Sequence, residues 1–297
     1  MPVDLAVVPV AGQGTRTLPA TKSQPKEMLP VGRKPVVQYV VEELVKSGIS
    51  RLLFVTGMGK VSIENHFDDN AELTKYLRET GREEQLRSLS FEQLPVEYFY
   101  TRQREQLGLG HAIFCARPLV DGQSFVVALG DSIIGRHANS DIVHRMTDEF
   151  DSNGADVVIA FEEVPRDEVV RYGIALPGSD DEVFDLVDVI EKPTVEEAPS
   201  NLAVAARYVF SPAIFDALAE TQPGKGGEIQ LTDAIRSLLK TGKKGIGMRL
   251  PPQEQRYDIG NFASYFRAFT EFAMTDPEEG SELRQHLRQL LDEFDES

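Results

Sequence analysis

The residue types and spacings best suited to chemistry lie near the start of the chain. They run Leu5-Ala6-Val7-Val8-Pro9-Val10-Ala11-Gly12-Gln13-Gly14-Thr15-Arg16, then through Lys22 to Lys26-Glu27-Met28-Leu29-Pro30. An apolar run that reads as a buried strand breaks into a glycine-bearing turn. Gly12 and Gly14 lack the Cβ atoms that would keep a ligand off the main chain, so backbone N–H groups can face an anion. Arg16, Lys22, Lys26, Arg33 and Lys34 follow, with only Asp4 and Glu27 as nearby acids. In a chain of net charge −17, such a basic island points to a bound polyphosphate. Arg16 offers phosphate oxygens a two-pronged fork, whereas Lys26 acts as a point charge. Two known phosphate motifs do not fit. Thr17 stands where the dinucleotide fingerprint needs its third glycine, and no G-K-[ST] triplet is present.

Other candidates sit just after apolar runs. Asp131 follows Phe125–Gly130, Asp258 lies in Tyr257-Asp258-Ile259-Gly260-Asn261, and Glu191-Lys192-Pro193 ends the run from Val183. By residue type alone each has a plain structural reading as well. Asp131 suits a turn or a helix cap, and Lys-Pro marks a strand-end turn. Glu228 suits the start of a helix, and Gln103 an ordinary surface position.

Positioning these residues requires alternating elements. Strands are expected at Leu5–Val10, Arg51–Thr56, Val96–Thr101, Ser124–Leu129, Val157–Glu162, Val183–Glu191 and Ala203–Phe210. Helices are expected at Pro35–Ser47, Ile63–Leu77, Leu109–Ala116, Ile142–Asp151, Pro212–Ala219, Leu231–Leu239 and Asn261–Met274. The alternation implies an α/β fold, Rossmann-like, with a mixed, mostly parallel central sheet flanked by helices. Ligands on such sheets bind at the carboxyl ends of strands, which is where the candidates cluster. Residues 1–275 read as a single domain. Residues 276–297 form an acidic segment with Leu283, Leu287, Leu290, Leu291 and Phe294 at helical spacing, a candidate subunit contact.

Apolar content of 41% and charged content of 27% suit a soluble globular chain. One cysteine, Cys115, excludes an internal disulfide and fits a cytoplasmic setting. No run reaches the length of a membrane span, and the N-terminus lacks a signal peptide's regions. The acidic balance argues against nucleic acid or an anionic membrane as partner.

The block A-G-x-G-T-R-x-L-P-A-T-K-x-x-P-K-E-M-L-P resembles the signature of the sugar-1-phosphate nucleotidylyltransferases. The match continues as V-T-x-x-x-K-x-S-I-E-N-H-F at 55–67, G-L-G-H-A at 108–112, G-D at 130–131 and E-K-P at 191–193. It closes with A-P-S-N-L-A, G-x-E-I-Q-L-T-D-A-I and D-x-G-N, ending at Asn261. The blocks spread over about residues 3–272, and the glucose–uridine group within the family is the nearest in pattern.

The resemblance implies the family's fold and attack of glucose 1-phosphate on the α-phosphorus of UTP, with Mg2+ as cofactor. It implies a homo-oligomer, dimer or tetramer. It gives Arg16, Lys26 and Lys192 catalytic roles and carries nucleotide binding to Ala11, Gly12, Gly14, Thr15, Gln103 and Gly108, with Lys22 a weaker candidate. Sugar-phosphate binding falls to Gly173, Glu191, Lys192 and Glu228, and metal binding to Asp131 and Asp258. Asn201 and Arg207 lie in matched blocks without an assignable chemical role. The family's R-Q-G reads Arg102-Gln103-Arg104 here, which loosens the case for uracil over thymine. Two alternatives stay open: a thymidylyltransferase or another hexose-1-phosphate uridylyltransferase, and a non-catalytic nucleotide-sugar-binding homologue. The second should have lost Lys26, Asp131 or Lys192, which are all present.

Such a reaction needs no protein nucleophile, because a phosphate oxygen attacks. Its obstacle is repulsion: two unit charges ~4 Å apart repel by about 1 kcal/mol in water and about 4 kcal/mol at an effective dielectric near 20. Catalysis should then be positioning with charge neutralisation.

Overall fold

The computed structural model describes residues 2–120 and 122–295. Its elements run β1 (Leu5–Pro9), a short hairpin of β2 (Pro30–Val31) and β3 (Lys34–Pro35), α1 (Val36–Lys46), β4 (Arg51–Thr56), α2 (Val61–Phe67), α3 (Ala71–Glu79), α4 (Glu83–Ser88) and β5 (Glu97–Arg102). There follow α5 (Leu109–Phe114), α6 (Arg117–Val120), β6 (Phe125–Ala128), β7 (Ser132–Ile134), α7 (Ile142–Asn153), β8 (Val157–Glu163), β9 (Gly173–Pro177), β10 (Val183–Glu191) and β11 (Leu202–Phe210). The chain ends with α8 (Ile214–Glu220), α9 (Leu231–Lys240), β12 (Gly245–Arg249), β13 (Arg256–Asp258), α10 (Phe262–Met274) and α11 (Gly280–Asp295).

One nine-stranded sheet takes the order β5-β4-β1-β6-β11-β8-β12-β10-β9. The β5/β4, β4/β1 and β1/β6 joints are parallel, as helical crossovers require. Beyond β6 only β8/β12 is parallel, and β11 and β10 run antiparallel to all their neighbours. The expectation of a mostly parallel sheet therefore holds for the first half alone. In its second half only the β9/β10 pair joins consecutive strands, and the other joints of β11 and β10 run antiparallel to strands from elsewhere in the chain. A further pairing of β9 with β11 at Ala203 and Ile174 curls this half into a partial barrel.

Strand alternation divides the core. In β1, Ala6 and Val8 pack with α1, α2 and α7 through residues such as Val40, Leu44, Ile63 and Met146. Leu5 and Val7 turn to the other face, against Ile113, Phe215 and Ile235 of α5, α8 and α9. Both faces of the central strands are thus covered, which is why they read as unbroken apolar runs. A smaller cluster around Phe272, with Tyr39, Tyr257 and Ile133, seats the β7–β13 pair and α10 beside the sheet. Phe272 meets the rings of Tyr39 and Tyr257 edge-on at 5.3 and 5.0 Å. Phe272→Ala should cost about 3–5 kcal/mol, measured as a fall in the urea midpoint, because the ring is wholly buried.

The expected helix over Ile63–Leu77 is two helices. Asp68-Asp69-Asn70 interrupts it, and the Asn70 side chain caps α3 by accepting from the Leu73 N–H at 3.0 Å. In the acidic C-terminal segment α11 is a helix with Leu291 and Phe294 exposed. Residues 296–297 lie outside the described residues. No helix among the described residues is long and apolar enough to cross a membrane.

Candidate active site

At the carboxyl end of β6, Gly130 lets the chain turn beneath β1. A Cβ there would lie 2.5 Å from the Val10 side chain. Asp131 follows at once and forms an ion pair with Lys26. Burial works to raise the Asp131 carboxyl, but the Lys26 ammonium outweighs it, with help from Arg256, and holds the group below its ordinary value. Lys26 in turn is pulled down by burial, yet Asp131 and Glu27 together hold its ammonium well above the usual lysine range. Lys26 therefore stays charged. Glu27 is buried and bonded to the equally buried Lys60 at 2.8 Å.

The β7–β13 pairing sets Asp258 opposite Ser132, next to Asp131. Asp258 accepts from the Gly260 N–H at 2.5 Å and pairs with Arg256 at 3.0 Å. Arg256 also meets Glu162 at 2.6 Å and lies 4.9 Å from the Tyr172 ring centroid. The Arg16 guanidinium reaches the same corner, 3.1 Å from where a Cβ on Gly260 would sit.

On the walls of the same cleft, β10 ends at Glu191 and turns at Lys192, whose φ of 45° is left-handed. The Lys192 N–H bonds the Tyr172 carbonyl at 2.9 Å, tying this turn to the start of β9. Glu191 accepts from the Thr232 hydroxyl at 2.8 Å and pairs with Lys192 at 3.1 Å. A Cβ on Gly173 would lie 3.2 Å from Thr232 Oγ1 and 3.5 Å from Glu191 Oε2, so glycine keeps that wall open.

Arg16, Asp131, Gly173, Glu191, Lys192, Glu228 and Asp258 all line one cleft of about 1240 Å³. Ala11, Gly12, Gly14, Thr15, Gln103 and Gly108 are absent from its walls and form a neighbouring loop cluster. There Gln106 donates to the Ala11 carbonyl at 2.9 Å, and buried Gln103 donates to the Gly108 carbonyl and meets His111 Nδ1, each at 3.0 Å. Gly14 adopts a left-handed φ of 64° and its carbonyl accepts the Thr17 and Thr21 hydroxyls. Gly12 lies over Lys26, a Cβ there being 3.6 Å from Lys26 Cε. Thus Lys26 links the glycine turn to Asp131.

The loop at Gly108 is tied to Glu228. Ile229 N–H bonds the Leu107 carbonyl at 2.7 Å, and Gly110 N–H bonds the Ile229 carbonyl at 2.9 Å. Gly108 has φ +100°, and a Cβ there would stand 2.8 Å from both Glu228 Cβ and the Ile229 carbonyl. Gly108→Ala should displace the Glu228 segment. The expected result is a loss of about 1–3 kcal/mol in stability, read by denaturant midpoint.

The basic island does not survive folding as a unit. Arg33 pairs with Asp276 at 2.6 Å, and Lys34 with Glu42 at 2.7 Å. Lys22 is exposed and is not on the cleft walls. Sequence reasoning missed Arg256 and Thr232, whose significance lies in partners far along the chain. Arg207, left without a role, is wholly buried against Glu43, with 3.0 and 2.6 Å contacts, and donates to the Ser132 carbonyl at 3.0 Å. Among the described residues, no group of three or more His, Cys, Asp or Glu is arranged to hold a metal ion.

The nucleotidyl transferase family model matches residues 5–274. The chain belongs to the nucleotidyl transferase family. This nucleotidyl transferase is 44% identical over 287 residues to the UTP–glucose-1-phosphate uridylyltransferase YngB of Bacillus subtilis, covering 96% of this chain and 95% of that one. It is 42% identical over 261 residues to the UTP–glucose-1-phosphate uridylyltransferase of Pseudomonas aeruginosa, covering 88% and 92%. Among solved structures it resembles the UTP-bound UGPase from Acinetobacter baumannii, with a TM-score of 0.86 and 36% identity over 97% of this chain and 99% of that one. A UDP-glucose pyrophosphorylase complexed with UDP-glucose gives 0.83 and 36%, covering 92% and 100%.

Proposed function

We propose that the protein transfers the uridylyl group of UTP to glucose 1-phosphate, giving UDP-glucose and pyrophosphate. A sugar-phosphate oxygen forms the new bond to the α-phosphorus, and the bond to the β-phosphate oxygen breaks. The observation that carries this reading is one cleft lined by Arg16, Asp131 and Asp258 together with Gly173, Glu191 and Lys192. Such a cleft can take a nucleotide phosphate and a sugar phosphate together, and relatives of near-full length are named for this reaction.

In this reading the glycine turn at Gly12, Gly14 and Thr15 cradles the triphosphate, and Arg16 and Lys26 neutralise it. Ala11 and Gly108 meet the base with their main chains. Gln103, its amide N–H groups turned to Gly108 and His111, offers its carbonyl oxygen to a base N–H. Glu191 and Glu228 hold sugar hydroxyls beside Gly173, and Lys192 holds the sugar phosphate. Asp131 and Asp258 fit a hard divalent cation: both supply carboxylate oxygens, Asp258 from the end of β13 and Asp131 from the turn just before its partner strand β7, and Asp131 is kept ionised. They would hold Mg2+, which would spread the charge developing on the phosphate oxygens. Lys26, already on Asp131 and beside Gly12, is placed to move between that carboxylate and the triphosphate.

Residues 1–275 act in this reading as one nucleotidylyltransferase domain in the cytoplasm. The exposed α11 residues Leu291 and Phe294 offer a contact for a second copy. Phosphorus NMR on UTP with glucose 1-phosphate tests the reaction: the reading expects UDP-glucose and pyrophosphate in equal amounts. Release of orthophosphate instead would contradict it. Lys192→Ala should raise KM for glucose 1-phosphate about tenfold or more while leaving KM for UTP nearly unchanged, since one charge-assisted contact is lost.

A further inference from the structure

We propose that Arg267, on α10, binds the pyrophosphate portion of the nucleotide and of the leaving group. The inference rests on the uridylyl-transfer reading of the cleft. Helix α10 turns Ala263, Ser264, Arg267 and Glu271 to the cleft, the spacing of one helical face. The two small side chains of its first turn leave space, and the next turn carries the guanidinium.

The other cations on these walls are largely committed. Arg256 is held by Glu162 and Asp258, Lys192 by Glu191 at 3.1 Å, and Arg171 stands 3.7 Å from Glu168. Arg16 and Arg267 are both exposed, and among the described residues neither has an ion pair. Glu271, one turn beyond Arg267, is engaged elsewhere, accepting from the Tyr257 hydroxyl at 2.9 Å and from Gln255 at 3.3 Å. An uncompensated guanidinium on the wall of a cleft rich in carboxylates is suited to a polyanion.

Its place decides which anion. Arg16 reaches Gly260, two residues before α10 begins, so the helix that carries Arg267 starts beside Arg16. Lys192 reaches in from the end of β10, beside Gly173. Arg267 therefore belongs with the outer phosphates of the nucleotide rather than with the sugar phosphate.

The test is the reverse reaction of the full chain, UDP-glucose with pyrophosphate and Mg2+, with the two KM values measured separately. Arg267→Ala should raise KM for pyrophosphate about tenfold, as expected for one charge-assisted hydrogen bond, and Arg267→Glu should raise it further. KM for UDP-glucose and the melting temperature should stay near the unsubstituted values, because the side chain is exposed. An unchanged KM for pyrophosphate, or a parallel rise in both constants, would overturn the assignment. No reverse reaction from the unsubstituted protein would instead remove the uridylyl-transfer reading, and this inference with it.

Discussion

Arg207→Met is expected to destabilise the fold by about 3–5 kcal/mol, because it leaves the Glu43 carboxylate buried without its cation. Neither side chain of the pair is exposed to solvent. Two parallel bonds join Arg207 on β11 to Glu43 on α1, and a third guanidinium bond reaches the Ser132 carbonyl. Arg207 also donates to the carbonyl of Ala206, which has a left-handed φ of 62° where the β11–β8 register shifts. The pair thus fastens a helix, a bulged strand and the residue after Asp131 in one place. Equilibrium urea unfolding measures the effect. The double variant Glu43→Met/Arg207→Met should recover much of the loss, since removing both charges also removes their desolvation cost. A single variant within about 1 kcal/mol of the unsubstituted protein would mean that water or another group satisfies Glu43.

The second large effect is on turnover. Asp131→Asn keeps the shape of the side chain and removes the charge that Lys26 answers and that a divalent cation would need. At saturating UTP and glucose 1-phosphate, kcat should fall by at least about a hundredfold, the scale set by losing one preorganised electrostatic group. The β6 turn depends on Gly130 against Val10 rather than on the charge, so the circular dichroism spectrum should be retained. Full activity of the Asn variant would remove Asp131 from the metal assignment.

Much of the scaffold was legible because its central strands are buried on both faces. Arg51–Thr56 was read with both ends correct and Leu5–Pro9 within a residue, since unbroken apolar runs flanked by turn residues leave little choice. Val183–Glu191 was also read with both ends correct, from the buried and exposed alternation of a strand with one covered face. β12 was missed because Gly245 and Gly247 hide it. These glycines are required by packing: a Cβ on Gly247 would run into the Phe184 ring, and one on Gly245 would lie 2.5 Å from the Leu239 side chain. β7 and β13 are three residues each and carry no period of their own. They exist because the Phe272 cluster seats them.

The site divides the same way. Residues embedded in motifs, such as Arg16, Asp131 and Lys192, meet in one cleft. The charge pattern misled, because neighbours in sequence are not neighbours in space. Arg33 finds Asp276 243 positions away, and Lys26 finds Asp131 across 105. Arg256 and Arg207 were opaque for the same reason: each is defined by its carboxylate partners, and no local pattern announces a buried ion pair.

The central claim is the identity of the nucleotide and of the leaving group. Pyrophosphate release with glucose 1-phosphate and Mg2+, compared across UTP, dTTP, ATP and GTP, tests it most directly. The account predicts rapid release with UTP, little with the purine nucleotides, and none when the divalent cation is chelated. Release with none of the four nucleotides, from folded protein that still binds UDP-glucose, would contradict it.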